Sequence, residues 1–393
     1  MNNNTQYKDS PLGKIPSDWE VKRLGEICPV FKSGLGLTSS DIFEKGDYPV
    51  YGGNGLRGYT INFTHEGEFI LIGRQGALCG NITFVSGKNY ITEHAIAVKM
   101  NSDNDIRYWA YSLEYMNLNR HSESSAQPGL SVEKLIRNKI CVPPFREQTR
   151  IVEVLSAWDK AISNVQNTID QVELRNKWLM QELLTGKRRL KGFEGEWKET
   201  RMKDVFERVT RKNSENNTNV VTISAQRGFI RQTDYFNKNI ASEITDNYFL
   251  VEKGEFCYNK SYSNGYPWGA TKRLNDYEKA VVTTLYICFK IKDLKRNSGG
   301  FFEHFFERNS LDRGLTKIAH EGGRAHGLLN VTPSDFFDLK ITIPGFEEQT
   351  AIAQVLQAAA NEVQILRSKL DKLKEQKKGL MQVLLTGKKR LVV

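Results

Sequence analysis

The chain has 393 residues, of which 39% are hydrophobic and 26% charged, and its formal net charge at pH 7 is +10. This length is enough for two or three domains, each with a core of its own. No apolar stretch approaches the roughly 18 residues of a membrane-spanning helix, and the N-terminal MNNNTQYKDS lacks the basic and then apolar pattern of a signal peptide. We therefore expect a cytoplasmic protein with no membrane partner.

The positive charge suggests an anionic partner, but it is unevenly distributed. Residues 1–142 carry 15 basic and 15 acidic side chains, whereas residues 196–340 carry 23 and 19. A DNA-binding function would therefore depend on basic residues at particular loops rather than on bulk charge.

Residues 1–142 form a first block, which the sequence predicts to be a mixed α+β domain. The block opens around Trp19. Short apolar runs bounded by turn residues predict strands at residues 67–73 and 95–100, and a helix is predicted near residues 106–116.

Within this block, residues 53–58 match the GxGxxG pattern and follow a predicted short strand at residues 48–51. A dinucleotide site would need a helix after the glycines, so that the helix N-terminus could face the pyrophosphate. Residues 59–63 read as another strand, and the pattern therefore favours a glycine-rich turn over cofactor binding.

Residues 143–192 are predicted to form a long spacer helix. Apolar side chains recur at alternating steps of three and four residues, the pattern of a coiled-coil seam: Leu155, Trp158, Ile162, Val165, Ile169, Val172, Leu179 and Leu183. A proline precedes the helix and Gly186 ends it. The 39 residues from Glu147 to Thr185 would make a helix about 58 Å long.

Residues 193–342 form a second block, which is also predicted to be mixed α+β. It opens around Trp197, as the first block opens around Trp19. A long strand-like run covers residues 280–289, and a helix is predicted at residues 301–308.

Residues 343–393 repeat the spacer helix. Residues 139–190 and 340–391 align with a constant offset of 201 and no gap, which indicates one structural unit used twice. In the seam, Asn176 of the first helix corresponds to Lys377 of the second. A polar residue at one core position commonly fixes the register. We therefore favour two helices paired side by side over two helices packed separately on globular cores.

Several motifs occur in both halves of the chain. They are the openings at Trp19 and Trp197, the Phe-x-Glu-Gln-Thr at residues 145–149 and 346–350, and the Leu-Leu-Thr-Gly-Lys at residues 183–187 and 384–388. In this combination the chain resembles the specificity subunit of a Type I restriction-modification enzyme over nearly its whole length.

The resemblance implies an α+β fold with a pseudo-twofold internal repeat. Two target recognition domains, each reading one half of a split double-stranded DNA site, would be separated by two helices paired as an antiparallel coiled coil, whose geometry sets the half-site spacing. The implied partners are two methyltransferase subunits and the restriction and translocation subunits. S-adenosylmethionine, ATP and Mg²⁺ would then be bound by those partners and not by this chain.

No catalytic motif accompanies these features. By the same resemblance, an adenine methyltransferase would carry Asn or Asp before Pro-Pro and an aromatic residue, and Val142 occupies that place. A Walker loop is excluded because Arg188 follows Gly186 and Lys187, and Gln181 stands where the earlier glycine belongs. The six histidines show no metal-ligand spacing, and the five cysteines form no CxxC pair and read as small buried side chains. We predict a non-catalytic subunit.

Side chains able to pair with base edges are concentrated on predicted loops of both blocks. In the major groove, Arg and Lys pair with guanine, and Asn and Gln pair with adenine. In the first block the candidates are Lys32, Asn54, Arg57, Arg74 and Gln75. In the second block they are Arg227, Arg231, Asn259, Lys260, Tyr262, Asn264, Tyr266, Lys272, Arg273, Arg324 and His326. Any of them could instead contact phosphate, which carries no sequence information.

Two other functions fit parts of the pattern. A coiled-coil scaffold whose blocks bind protein is compatible with the neutral first block. A self-contained restriction or modification enzyme would need the catalytic motifs that are missing. Salt-dependent DNA affinity distinguishes a DNA reader from a scaffold, because phosphate contacts release counterions.

Overall fold

A computed structural model describes residues 6–76, 78–122, 129–232, 247–321 and 329–391. The chain forms two compact units: unit 1 comprises Met1–Asn167 and Ser368–Val393, and unit 2 comprises Thr168–Arg367. The predicted blocks ended at residues 142 and 342. The units instead divide within two long helices, α3 (Phe145–Leu183) and α8 (Phe346–Leu384), because each helix end packs into the core of the unit that it enters.

Unit 1 contains the predicted mixture of strands and helices. Its strands are β1 (Tyr7–Ser10), β2 (Gly13–Pro16), β3 (Glu20–Arg23), β4 (Val30–Ser33), β5 (Tyr48–Gly52), β6 (Gly55–Thr60), β7 (His65–Glu66), β8 (Phe69–Gly73), β9 (Ile82–Val85), β10 (Lys88–Ile91), β11 (Ala95–Lys99) and β12 (Lys139–Val142). Its shorter helices are α1 (Ile106–Tyr115) and α2 (Val132–Ile136). β8, β11 and α1 confirm the predicted elements to within two residues.

Two four-stranded sheets form the body of unit 1. One has the order β4-β11-β8-β9 with antiparallel neighbours, and the other has the order β6-β5-β10-β7 with β5 and β10 parallel. Alternate side chains of β8 and β11 enter different cores: Ile70 and Ile96 pack with Trp109 of α1, whereas Leu71 and Ala97 pack with Ile91 of the second sheet. β8 is buried on both faces, which explains its continuous apolar sequence.

Unit 2 is also mixed. Its strands are β13 (Lys198–Arg201), β14 (Phe206–Arg208), β15 (Val221–Ser224), β16 (Gly228–Arg231), β17 (Phe249–Glu252), β18 (Phe256–Asn259), β19 (Ala270–Arg273), β20 (Lys279–Val282), β21 (Ile287–Ile291), β22 (His320–Glu321), β23 (Leu329–Asn330) and β24 (Lys340–Ile343). Its shorter helices are α4 (Met202–Val205), α5 (Gly299–Glu307), α6 (Asp312–Ile318) and α7 (Pro333–Asp338). α5 confirms the helix predicted at residues 301–308.

The single strand predicted at residues 280–289 is wrong. β20 pairs with β17, whereas β21 pairs with β14 and β18, so the run supplies two different sheets. A turn separates them, in which the Tyr286 amide donates to the Thr283 carbonyl at 3.3 Å. The Tyr286 hydroxyl reaches Thr222 at 3.1 Å, and this long-range contact fixes a turn that the β-forming side chains alone do not indicate.

An aromatic core lies between the four-stranded sheet β14-β21-β18-β19 and α5. Phe206 meets Phe302 with ring centroids 4.8 Å apart, and Phe256 stacks on Phe289 at 5.5 Å. On the other face, Cys257 and Cys288 lie opposite each other across β18 and β21. Four of the five cysteines are buried as predicted, and Cys141 is half-buried.

The two long helices each have 39 residues, as predicted, and begin two residues earlier than Glu147 and its counterpart. In unit 1, Lys377 Nζ lies 2.6 Å from Asp159 Oδ1. In unit 2, Asn176 Nδ2 donates to the Ala359 carbonyl at 2.7 Å. Unit 2 also holds a Glu173–Arg367 ion pair at 2.6 Å, and since one residue number rises as its partner's falls, these segments are antiparallel. No helix in the described ranges is long and apolar enough to cross a membrane.

Candidate nucleic-acid interface

The two glycine-rich segments of unit 1 lie against each other and against His94. A Cβ added to Gly53 would lie 2.7 Å from the His94 carbonyl oxygen, and one added to Gly73 would lie 2.5 Å from the Gly53 carbonyl oxygen. Only glycine allows such a close approach of backbones. A glycine turn between β5 and β6 is confirmed, and no helix follows it, but β6 begins at Gly55 within the pattern and ends at Thr60, so the strand predicted at residues 59–63 is wrong beyond residue 60.

Backbone hydrogen bonds hold Arg74 and Gln75 beside this turn. The Arg74 amide donates to the His94 carbonyl, and the Leu130 amide donates to the Arg74 carbonyl, both at 2.9 Å. Gln75 pairs with Gly129 in an antiparallel bridge. Together with the start of α2, Arg74 and Gln75 line an open cavity of about 490 Å³.

Four of the five candidates of the first block share this region. Asn54 lies in the turn between β5 and β6, and Arg57 lies on β6, with both side chains exposed. Lys32 is separate: it is exposed on β4, in register with Ala97. Its charge adds to the effect of burial in lowering the pKa of His65.

In unit 2, the tip of the β15–β16 hairpin meets the loop after β18. Gln226 Nε2 donates to the Asn264 carbonyl at 2.9 Å. Arg227 at the hairpin tip is exposed, as are Tyr262 and Asn264 in the loop. The structure therefore brings these three predicted candidates to one surface.

Asn259 and Lys260 stand at the base of this loop. Asn259 Nδ2 donates to the Ile223 carbonyl at 3.3 Å, and its Oδ1 accepts from the Ser261 amide at 3.1 Å. Lys260 is half-buried, and burial lowers the pKa of its ammonium group. Asn259 is thus occupied in shaping the loop.

Three further candidates bind acidic side chains of their own unit. Lys272 Nζ and the Tyr266 hydroxyl both contact Glu307, and only 10% of the Lys272 side chain is exposed. Arg273 lies 3.4 Å from Glu303. These contacts leave the two cations little free surface, and their predicted role in DNA binding stays untested.

Of the three remaining candidates of unit 2, one lies in the described part of the chain. Arg231 is exposed on β16 and lies over the Tyr277 ring at 5.9 Å. Arg324 and His326 lie outside the described residues.

Two polar residues of these surfaces were missed by sequence reasoning. His94 lies 3.3 Å from Gln75, and Gln226 anchors the loop that carries Asn264. A signal for Gln226 was available, because Gln226-Arg227-Gly228 has the same composition as Arg74-Gln75-Gly76 in the other block. A search for polar pairs before glycine would have found it.

The motifs that occur twice close the ends of the long helices. In unit 1, Arg390 donates to Glu147 at 2.7 and 2.8 Å and to Asp18 at 2.9 and 2.7 Å. Trp19 Nε1 donates to the same Glu147 at 2.8 Å. The Arg390 contact lowers the pKa of Asp18. These residues therefore hold the fold together and are not part of the loop surface.

Unit 2 repeats the contact between Arg and Glu, but the further acceptor of Arg189 is the Gly195 carbonyl and not a carboxylate. Arg189 donates to Glu348 at 2.5 and 2.6 Å and lies over the Trp197 ring at 5.9 Å. The Trp197 Nε1 is buried and has no hydrogen-bond partner in the part of the chain that the structure describes.

The titratable side chains form no metal centre among the residues described: no three His, Cys, Asp or Glu side chains are grouped to hold an ion. His304 on α5 is largely buried, and burial lowers the pKa of its imidazole below 6.5.

We expect acid to destabilise unit 2 through His304. A histidine whose folded pKa is lowered contributes stability above its unfolded value of 6.5, and this is lost as pH falls from there through the folded pKa. Thermal unfolding between pH 7 and pH 5 should show a falling midpoint, and His304→Gln should flatten the slope. Equal slopes would contradict this assignment.

The molecule thus consists of two mixed α/β units, each closed by ends of the two long helices and each carrying polar loops on a glycine-rich surface. Residues 16–174 and 194–375 match the family described as the Type I restriction modification DNA specificity domain. These two ranges cover most of the 393 residues, and the chain belongs to this family.

Curated relatives carry the same description. Over 165 residues, the chain is 39% identical to the Type I restriction enzyme EcoprrI specificity subunit of Escherichia coli, which covers 40% of this chain and 41% of that protein. It is 25% identical to the putative type I restriction enzyme MjaX specificity subunit of Methanocaldococcus jannaschii over 98% of this chain and 97% of that protein.

Solved structures show the same fold. The S subunit of a Type I restriction-modification system from M. genitalium aligns with a TM-score of 0.59 at 14% identity, covering 98% of this chain and 97% of that one. The HsdS subunit from Thermoanaerobacter tengcongensis aligns with a TM-score of 0.51 at 16% identity, covering 97% and 100%. At these identities the likeness concerns the fold alone.

Proposed function

We propose that this chain is the DNA-recognition subunit of a Type I restriction-modification complex and that each unit reads one half of a bipartite site. The observation that carries the proposal is an Arg and Gln pair before a glycine, held against a second loop in each unit: Arg74–Gln75 in unit 1 and Gln226–Arg227 in unit 2. Arg and Gln are the side chains best suited to guanine and adenine edges. Membership of the specificity family supports the same function.

The partner subunits would supply the chemistry. We expect two methyltransferase subunits that bind S-adenosylmethionine and flip the target adenine, and restriction subunits that use ATP and Mg²⁺. The sequence of this chain carries no matching nucleotide-binding or methyltransferase motif. Its own role is then recognition and docking without catalysis.

The long helices would set the gap between the half-sites. We take α3 and α8 to pair as an antiparallel coiled coil with a pseudo-twofold repeat. In support, each polar seam residue finds a partner on the other helix: Asn176 bonds the Ala359 carbonyl, and Lys377 bonds Asp159. A polar seam position of this kind fixes the register of a pair.

Insertion of one heptad into both helices should lengthen the gap without changing the recognised letters. Seven residues add about 10 Å of helix, which corresponds to roughly three base pairs of duplex. Methylation mapping of the variant would show the new gap. An unchanged gap would rule out the helices as the spacing device.

The test of recognition itself is co-expression with the cognate methyltransferase subunit in a host that lacks DNA methylation, followed by mapping of modified adenines. We expect a split motif with a fixed unspecified gap. A stable complex without modification would instead favour a protein-binding scaffold.

The two units should be separable by mutation. Arg74→Ala should weaken the discrimination between bases in one half-site, and Arg227→Ala should weaken it in the other. Each change should cost about 1–3 kcal/mol of discrimination per base contact. Arg313→Ala, an exposed change on α6, is the matched control and should leave the motif intact. Relaxation of both halves by either single change would contradict the assignment of one half-site to each unit.

A further inference from the structure

The imidazole of His94 lies between two side-chain oxygens at the loop surface of unit 1. Its Nε2 is 3.2 Å from Glu93 Oε1, and its Nδ1 is 3.3 Å from Gln75 Oε1. The amide oxygen of Gln75 can only accept, so the tautomer with hydrogen on Nδ1 makes this contact. In this arrangement the carbonyl end of the Gln75 amide is held by His94.

The backbones of both residues are fixed. The His94 carbonyl accepts the Arg74 amide at 2.9 Å, and a Cβ at Gly53 would approach that same carbonyl to 2.7 Å. Gln75 is held by its bridge to Gly129. Because both backbones are held in place, the two side chains stay within reach of each other.

We propose that His94 is a positioning residue that turns the amide NH₂ of Gln75, and not its carbonyl, toward DNA. The proposal rests on the recognition function proposed for this surface. A free glutamine pairs with adenine through both amide groups, donating to N7 and accepting from N6. With its carbonyl held by His94, Gln75 presents the NH₂ end of its amide, which donates.

Donors alone select a different class of base. Guanine presents two acceptors, O6 and N7, and thymine presents O4, whereas cytosine presents an amino group and adenine presents an amino group beside its one acceptor, N7. Gln75 held by His94 therefore favours guanine or thymine over adenine and cytosine at one position of its half-site, because the amino group of adenine or cytosine would lack an acceptor there.

The test is a comparison of methylation maps from complexes that carry wild-type or variant chains. His94→Phe keeps a planar ring but removes the donor, which frees the Gln75 amide to turn over. We expect methylation of sites with adenine at that one position to rise about tenfold relative to wild type, the equivalent of a modest base contact. His94→Asn keeps an amide donor near the place of Nδ1 and should restore the wild-type letter.

A double variant separates positioning from direct contact. In a Gln75→Ala background, His94→Phe should cause no further change at this position, because His94 acts only through Gln75. A further change would show that His94 contacts DNA itself and would overturn the proposal. The amount of assembled complex is measured for each variant, and His94→Leu replaces His94→Phe if the latter does not assemble.

The outcomes distinguish this proposal from the one on which it rests. If wild type gives a clear split motif and His94→Phe methylates the same base sequence, the role of His94 is overturned and the recognition function stays in place. A wild-type map with no split motif would overturn the recognition function itself.

Discussion

Arg390→Ala should lower the free energy of unfolding of unit 1 by about 3–5 kcal/mol, since removing one partner of a buried ion pair leaves an uncompensated charge. Only 13% of the Arg390 side chain and 6% of the Glu147 side chain are exposed. Without Arg390, the Glu147 carboxylate would keep the Trp19 indole as a donor but lose its counter-charge. The unit would therefore lose the hydrogen bonds that join the C-terminal segment to the start of α3.

The matched control is Arg367→Ala, whose ion pair with Glu173 is exposed on both sides. An exposed pair contributes less than about 1 kcal/mol. Denaturant unfolding followed by tryptophan fluorescence would compare the two variants. Similar losses of unfolding free energy in both variants would mean that the Arg390 ion pair contributes no more than an exposed pair.

The long helices and the repeat were predictable because their signals are local and periodic. The heptad pattern, the preceding proline and the closing glycine gave both helices to within two residues at each end. The role of the repeated Glu-Gln pair was not predictable. Glu147 accepts hydrogen bonds from a residue 243 positions away, and Gln148 accepts one from the Asp105 amide at 2.8 Å. The repeated motif in the sequence shows that the pair recurs but does not identify these partners.

The candidate surface was predictable where glycine-rich turns in the sequence indicated its loops. Asn54, Arg57, Arg74 and Gln75 come together because the glycines that flank them allow close backbone contact. The environment of Lys272 was not predictable, because its acidic partner lies 35 residues further along the chain. His94 was missed for a related reason: a single histidine before a strand looks ordinary until the fold brings Gln75 beside it.

Gly73→Ala should abolish base recognition in one half-site. It should also destabilise unit 1 by about 1–3 kcal/mol, the usual cost of overpacking. Its Cβ would lie 2.5 Å from the Gly53 carbonyl oxygen and 2.7 Å from that of Leu78. Both are backbone atoms, which cannot give way as a flexible side chain can. The turn that carries Asn54 must then move away from Arg74.

The matched control is Gly36→Ala, where an added Cβ meets no atom within 4 Å and the backbone needs no left-handed conformation. It should leave both stability and the methylated motif unchanged. If Gly73→Ala keeps the wild-type letters, the contact between the two glycine turns does not position the reading side chains. Because this change adds one methyl group and alters no charge or donor, loss of the letters in an assembled complex would assign recognition to the geometry of the turns.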